Sequence, residues 1–212
     1  MWVGVFSDVK NAVNESVNFA DGFIRAIAVR ELRLRGVSER IRGVGVVNFR
    51  SDVDSVVSKS CRLLSKFGFE PNVAGIHFGI HHMSLNQVSF PVICLSGTDG
   101  PIAKADDIAK GEVWADAWRS DSSSYELPSS VLLGLQRFVE ENCDSMSDSE
   151  YESCYYFLPV VYAGIVARSC CQAWIERKLV PSGMLARVGF GYVSGSCHEL
   201  GTLRYKKLSL KK

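Results

Sequence analysis

The sequence predicts an α+β fold, a single domain with a mostly antiparallel sheet and packed helices, and three observations carry that expectation. Apolar residues switch along the chain between helical spacing and strict alternation, so helices interleave with hairpins, and the strand-helix-strand rhythm of a doubly wound parallel sheet is missing. The length, 212 residues, suits one well-buried core, so residues 1–212 are expected to form a single globular domain. With 47% hydrophobic and 22% charged residues, the composition is that of folded chains rather than disordered ones.

The elements follow in order. Val9, Val13, Val17, Ala20, Ile24 and Ile27 recur at three- and four-residue steps, predicting a first helix from near Asp8. Alternation over Glu31 to Arg35 and Arg40 to Phe49, with Gly36 between, predicts an antiparallel ribbon. Asp52 precedes Val53, Val56, Val57, Cys61 and Leu64, an amphipathic helix that Gly68 can close. Alternation returns from Val73 to Met83, and after a turn at Ser84 to Asn86 a strand runs from Val88 to Leu95, with Pro91 placing it towards a sheet edge. Residues 96–127, rich in Gly, Ser and Asp, are expected to form a long loop that carries Trp114 and Trp118. A helix over Pro128 to Asn142 follows, and Ser147 with Glu150 has capping-box spacing for the next helix, which Pro159 should break or kink before the pattern continues to about Leu179. Apolar residues cover most of that last helix, which makes it central. A hairpin ends the chain, Met184 to Val193 and Cys197 to Leu208, turning at Ser194-Gly195.

Met1 to Phe6 is a short apolar run closed by Asp8, unlike a signal peptide, and the apolar run Ser153 to Ala167 falls short of the about 20 residues that span a bilayer. A cytoplasmic protein with no membrane partner is expected. Seven cysteines (61, 94, 143, 154, 170, 171, 197) without C-x-x-C spacing predict reduced thiols and neither a structural zinc nor another cofactor.

Partial motifs point three ways. His77 and His81 share a strand face but stand roughly 13 Å apart, too far to hold one metal ion together. Cys197 beside His198 cannot pair with it on a strand, where neighbours point to opposite faces, so an enzyme would need Cys197 with His77 or His81. Gly43-Val44-Gly45 and Gly189-Phe190-Gly191 complete no phosphate loop. Arg33, Arg35, Arg40 and Arg42 on the ribbon form a surface suited to phosphates, diluted by Glu31 and Glu39 and without interleaved aromatic residues.

Charge is sorted along the chain. Residues 1–94 carry 11 basic and 8 acidic groups, residues 95–152 carry 4 and 13, and residues 153–212 carry 9 and 2. The segments net +3, −9 and +7, so near-neutrality overall hides a strong local field. Its densest part is Glu140, Glu141, Asp144, Asp148, Glu150 and Glu152, with no Lys or Arg between them.

The run Val188-Gly189-Phe190-Gly191-Tyr192-Val193-Ser194-Gly195-Ser196, followed by Glu199-Leu200-Gly201, resembles a hairpin near the C-terminus of several families of bacterial immunity proteins that neutralise polymorphic or contact-delivered toxins. Those hairpins usually flank the Ser-Gly turn with acids, and this chain has Val193 and Ser196 there. The resemblance implies a protein partner. The expectation is therefore a neutraliser, more a binder than an enzyme, that occludes the basic cleft of a toxin or other basic-surfaced protein. Glu140, Glu141, Asp144, Asp148, Glu150 and Glu152 would meet the cleft, aided by Asp116 and Asp121, and Trp114, Trp118 and Tyr151 would anchor the interface. A small enzyme using Cys197 or the His77/His81 region is the alternative, and a nucleic-acid binder using the arginine ribbon is third.

Overall fold

The structure, a computed structural model, describes residues 49–69, 72–85, 88–99, 102–109, 126–193 and 197–211. The expected first helix, most of the arginine ribbon, Trp114, Trp118, Asp116 and Asp121 lie outside the described residues.

The elements are α1 (Phe49–Phe67), β1 (Gly75–Leu85), β2 (Val88–Thr98), the one-turn α2 (Asp106–Ala109), β3 (Glu126–Pro128) and α3 (Ser130–Asn142). A 3₁₀ turn at Cys143–Ser145 leads to α4 (Asp148–Glu152), a π turn (Ser153–Phe157) and α5 (Leu158–Glu176), and then come β4 (Leu185–Tyr192), β5 (Cys197–Arg204) and β6 (Lys207–Leu210). The strands form one mixed sheet in the order β3-β2-β1-β4-β5-β6. All neighbours are antiparallel except β1 and β4, which run parallel from Gly75↔Arg187 to Ile80↔Tyr192. The α+β architecture read from the patterning is what the chain adopts.

Alternation decides the two faces of the sheet. Ile76, Phe78 and Ile80 of β1, with Val188 and Phe190 of β4, are buried on the face that meets α1, α3 and α5. At its centre the indole of Trp174 stacks on Phe78, centroids 5.6 Å apart, and takes the edge of Phe69 at 5.5 Å. Fourteen of the nineteen residues of α5 are buried, so its all-round apolar surface is used inside the domain. The helical run Cys154–Glu176 is long and apolar enough to cross a membrane, and 78% of that apolar window is buried within the fold.

Asp52 ties the helical layer together. Its carboxylate accepts from Ser129 Oγ at 2.6 Å, Ser130 N at 2.7 Å, Ser130 Oγ at 2.7 Å, Val131 N at 3.5 Å and Tyr162 Oη at 2.5 Å. Ser129 Oγ in turn accepts from Leu132 N as the N-cap of α3, so a residue of α1 completes the capping of a second helix and holds a third. At the far end of α1, Gly68 takes φ 72° and its N–H donates to Leu64 O at 2.8 Å, the left-handed stop that the sequence predicts.

The other face is covered differently. A Cβ on Gly189 would stand 2.5 Å from Cys197 Sγ and 3.2 Å from Ile108, so the glycine there admits the thiol and the buried side chain of α2. Arg187 and Glu199 lie on this face as a two-pronged pair at 2.8 and 2.9 Å, Lys211 Nζ reaches the same carboxylate at 2.5 Å, and Arg187 Nη1 donates to Ile102 O at 2.7 Å. The tail and the 102–109 segment are thereby fastened to the sheet.

Three boundaries differ from the sequence pattern. The segment 96–127, expected as loop, begins with the end of β2, contains α2 and ends in β3. The strand expected from Cys197 to Leu208 divides at Tyr205-Lys206 into β5 and β6, because Arg204↔Lys207 closes a tight hairpin. Pro91, expected to place its strand towards a sheet edge, sits opposite His82 of β1 just before Val92 to Cys94, the stretch that β3 pairs, so β2 is an interior strand.

Candidate functional site

The acidic block and a row of tyrosines occupy one continuous stretch of backbone, from the end of α3 through α4 to the start of α5. Pro159 shapes it. Proline carries no N–H and its ring crowds the carbonyl four residues back, which here belongs to Tyr155. The expected kink takes the form of the π turn Ser153–Phe157, and Pro159 falls in the first turn of α5, where an N–H would be spare. The Tyr155 carbonyl, deprived of its usual helical donor, accepts from Tyr192 Oη on β4. A proline on the helix thus sets where a strand tyrosine docks.

The rings form a connected row. Tyr151 stacks on Tyr155 with centroids 5.3 Å apart and planes 9° apart, Tyr155 meets Tyr156 edge-on at 4.8 Å, and Tyr156 meets Tyr192 at 6.0 Å. Tyr151 and Tyr156 are 36% and 45% exposed, among the most exposed large hydrophobic side chains described. Burial, then the neighbouring tyrosines, raises the Tyr192 hydroxyl well above its ordinary range, and burial followed by Tyr151, Tyr156 and Glu140 raises Tyr155. Both phenols stay protonated at neutral pH and keep a hydrogen to donate.

Around this row Glu140, Glu141, Asp144, Asp148 and Glu152 are exposed, and among the described residues none has a Lys or Arg within ion-pair distance. The backbone of Glu150 lies in α4 between Asp148 and Glu152. Two of the five have neutral side-chain partners: Glu140 accepts from Gln136 Nε2 at 2.6 Å, and Asp144 accepts from the Cys143 thiol at 3.8 Å. The same Nε2 donates to Ser89 O at 3.2 Å, which fixes the amide and leaves Gln136 Oε1 buried with no donor among the described residues.

Beneath the tyrosines lies a cleft with about 20 Å³ of water-accessible space. His82, Gln136, Tyr155 and Tyr192 border it, over an apolar floor that includes Ile80 and Leu135. Burial first, and then His81, lowers the His82 pKa, while Glu140 opposes the shift, so the imidazole is neutral at pH 7.

Tyr151 stands between Glu150 and Glu152 in the chain, and the structure brings Tyr155, Tyr156, Tyr192, Gln136 and His82 to the same region. Two signals for the additions stand in the sequence: tyrosines at 151, 155 and 156 inside the acidic stretch, and a proline four residues after Tyr155.

The Cys/His region has another character. His77 and Cys197 lie on the same sheet face, on either side of Gly189, while His198 stacks on Phe190 across the sheet. Cys197 N donates to Asp106 Oδ1 at 3.1 Å, and burial, then Asp106, pushes the thiol up to about 12. Burial pushes His77, 1% exposed, down to about 4, and its Nε2 has no partner among the described residues. Thiol and imidazole are both neutral at pH 7, with neither thiolate nor imidazolium to begin nucleophilic chemistry. His81 is exposed, and among the described residues no three His, Cys, Asp or Glu side chains gather as metal ligands.

No protein family, curated protein or solved structure matches the chain.

Proposed function

We propose that this protein binds a basic-surfaced protein and neutralises it, in the manner of an immunity protein or antitoxin that occludes a toxin's basic cleft. The observation that carries the reading is the row of partly exposed tyrosines set among carboxylates that no described basic side chain neutralises. Like charges held this close oppose folding. A cationic partner relieves that opposition on binding, and the same field draws it in before contact. Tyrosines suit the centre of such an interface, since each presents a large surface and a hydroxyl while few torsions are frozen. In this mechanism Glu140, Glu141, Asp144, Asp148, Glu150 and Glu152 meet the walls of the cleft, and Tyr151 and Tyr156 fill it. Occlusion requires no cofactor.

The test is co-expression with the product of the adjacent reading frame. If that product is toxic, this protein restores growth, and reversing Glu140, Glu141, Asp144 and Asp148 to Lys abolishes the rescue while circular dichroism shows the fold standing. With purified partners, the reversal slows association about tenfold or more at low salt. Association at the parental rate, or undiminished protection by the variant, refutes the reading.

A further inference from the structure

We propose that the acidic end of one copy of this protein docks on the basic end of a second copy, so that the chain associates head to tail. The contact needs no partner of another kind and is independent of the function proposed above.

The directions of the helices and strands set the two ends. α1 and α5 lie side by side and run the same way, joined at Asp52 and Tyr162, at Ser60 and Cys170, and at Phe69 and Trp174. The acidic stretch leads into the start of α5, and Lys66, Arg177 and Lys178 stand where the two helices finish. β4 runs back from Leu185 to Tyr192, which belongs to the tyrosine row. At Leu185 the last row of the sheet crosses to Arg204 and on to Lys207, with Tyr205 and Lys206 in the turn between. The 19 residues of α5 and the 8 of β4 each put about 25 Å between the ends. That is about three Debye lengths at physiological salt, so neither end neutralises the other within one copy.

Each end carries what the other lacks. Lys66, Arg177, Lys178, Arg204, Lys206 and Lys207 are exposed at the basic end, against the exposed acids Glu176 and Asp99. Among the described residues no carboxylate lies within ion-pair distance of Arg177, Lys178, Arg204, Lys206 or Lys207. The helix dipole accounts for bases where α1 and α5 finish, but no helix ends at the β5–β6 turn. The exposed large hydrophobic side chains described divide between the same two ends. Tyr151, Tyr156 and Val193 are at the acidic one, and Leu185 and Tyr205, 57% and 40% exposed, are at the basic one. Both ends therefore offer the apolar centre and charged rim of an interface.

This combination selects the occupant. A nucleic acid would answer the bases but leave Leu185 against a sugar-phosphate backbone. Carboxylates set around tyrosines answer both, because the rings take Leu185 by apolar contact and the bases by their faces. With a net charge of only +1, two copies do not repel each other on approach. The two surfaces differ and lie at opposite ends, so each contact leaves one of each unused and association is open-ended. A copy held this way has its acidic end covered, and self-association competes with any basic partner.

Sedimentation equilibrium of the full chain tests the contact. At about 0.01 M salt the average mass should rise with concentration past that of two copies, each contact dissociating on the order of 0.1 mM, and at about 1 M salt the protein should be monomeric. Changing Glu140, Glu141, Asp144 and Asp148 to Lys makes both ends basic, and changing Arg204, Lys206 and Lys207 to Glu makes both acidic. Each variant alone should stay monomeric at low salt, and an equal mixture should regain association, since each brings one unaltered surface to the other. A monomeric parent at low salt, a variant that associates alone as the parent does, or a mixture that stays monomeric would overturn the inference. A mass that levels off at two copies would replace the head-to-tail contact with a two-fold one. A monomeric parent that binds a short single-stranded DNA, lost in the Glu variant, would assign the basic end to nucleic acid instead. Should circular dichroism show either reversal unfolded, Gln at the same positions is expected to weaken the contact about tenfold, and an unchanged contact there overturns the inference equally. All of these outcomes leave the proposed function to its own test with a partner.

Discussion

Asp52 accepts five hydrogen bonds from α3 and α5, and its loss strands two serine hydroxyls, a tyrosine hydroxyl and the first N–H groups of α3. Asp52→Ala should lower stability by about 3 kcal/mol in chemical denaturation, and Tyr162→Phe by about 1 kcal/mol, because the phenol gives only one of the five bonds. Their double mutant should fall short of the sum, since both changes act on one network. His77 sets a pH dependence. Folded His77 is held at about 4 against an ordinary 6.5, so between these values the unfolded chain binds a proton that the folded chain excludes. Stability therefore falls as pH drops from about 6.5 towards 4, by about 3 kcal/mol in all, and this contribution levels off at lower pH. In His77→Leu the slope should flatten, as urea unfolding across that range would reveal. At this scale the sequence was legible only locally: Asp52 could be seen to open a helix, but its partners stand 77 to 110 positions away, and nothing in local spacing announces them.

At the scale of elements, patterning gave α1, α3, α5, β1, β2 and β4 nearly to their ends, because each buries one periodic face against the core, whereas β3 fell at the end of the expected loop. The π turn was foreseen only as a kink, for its form depends on a strand tyrosine taking the carbonyl that Pro159 leaves unserved. Tyr192→Phe removes that donor and should cost about 1 kcal/mol, with altered ring shifts for Tyr155. The division of the last strand was missed because its turn, Tyr205-Lys206 between Arg204 and Lys207, contains no Gly, Pro, Asn or Asp to mark it. Gly201 is what brings β6 so close: a Cβ there would stand 2.1 Å from Ser209 O, with φ at 158°. Gly201→Ala should therefore destabilise the protein by about 2–4 kcal/mol. Hydrogen exchange should show β6 losing protection first.

For the whole molecule, the sorting of charge that is plain in the sequence persists in space: the acidic groups crowd α3 and α4, while Arg204, Lys206, Lys207 and Lys211 gather at the β5–β6 end of the sheet. Self-repulsion within the acidic group should weaken as salt screens it, so the melting temperature should rise by a few degrees from low to high salt, and rise less after Glu140, Glu141, Asp144 and Asp148 are changed to their amides. The fold class could be read from the chain, but the topology could not, since a hairpin follows from adjacent strands whereas the parallel pairing of β1 with β4 joins segments about a hundred residues apart. That single pairing has a consequence in time. β1–β2 and β4–β5–β6 can each zip locally, but the seam between them must wait for a large loop to close, the slowest kind of contact to form. On the ribosome, β1 emerges long before its neighbour exists, and its bare edge, carrying Ile76, Phe78 and Ile80, is the stretch that a nascent chain most needs to keep from pairing with another copy. A chain released early, at Glu176, would carry that edge permanently and should aggregate where the full-length protein does not.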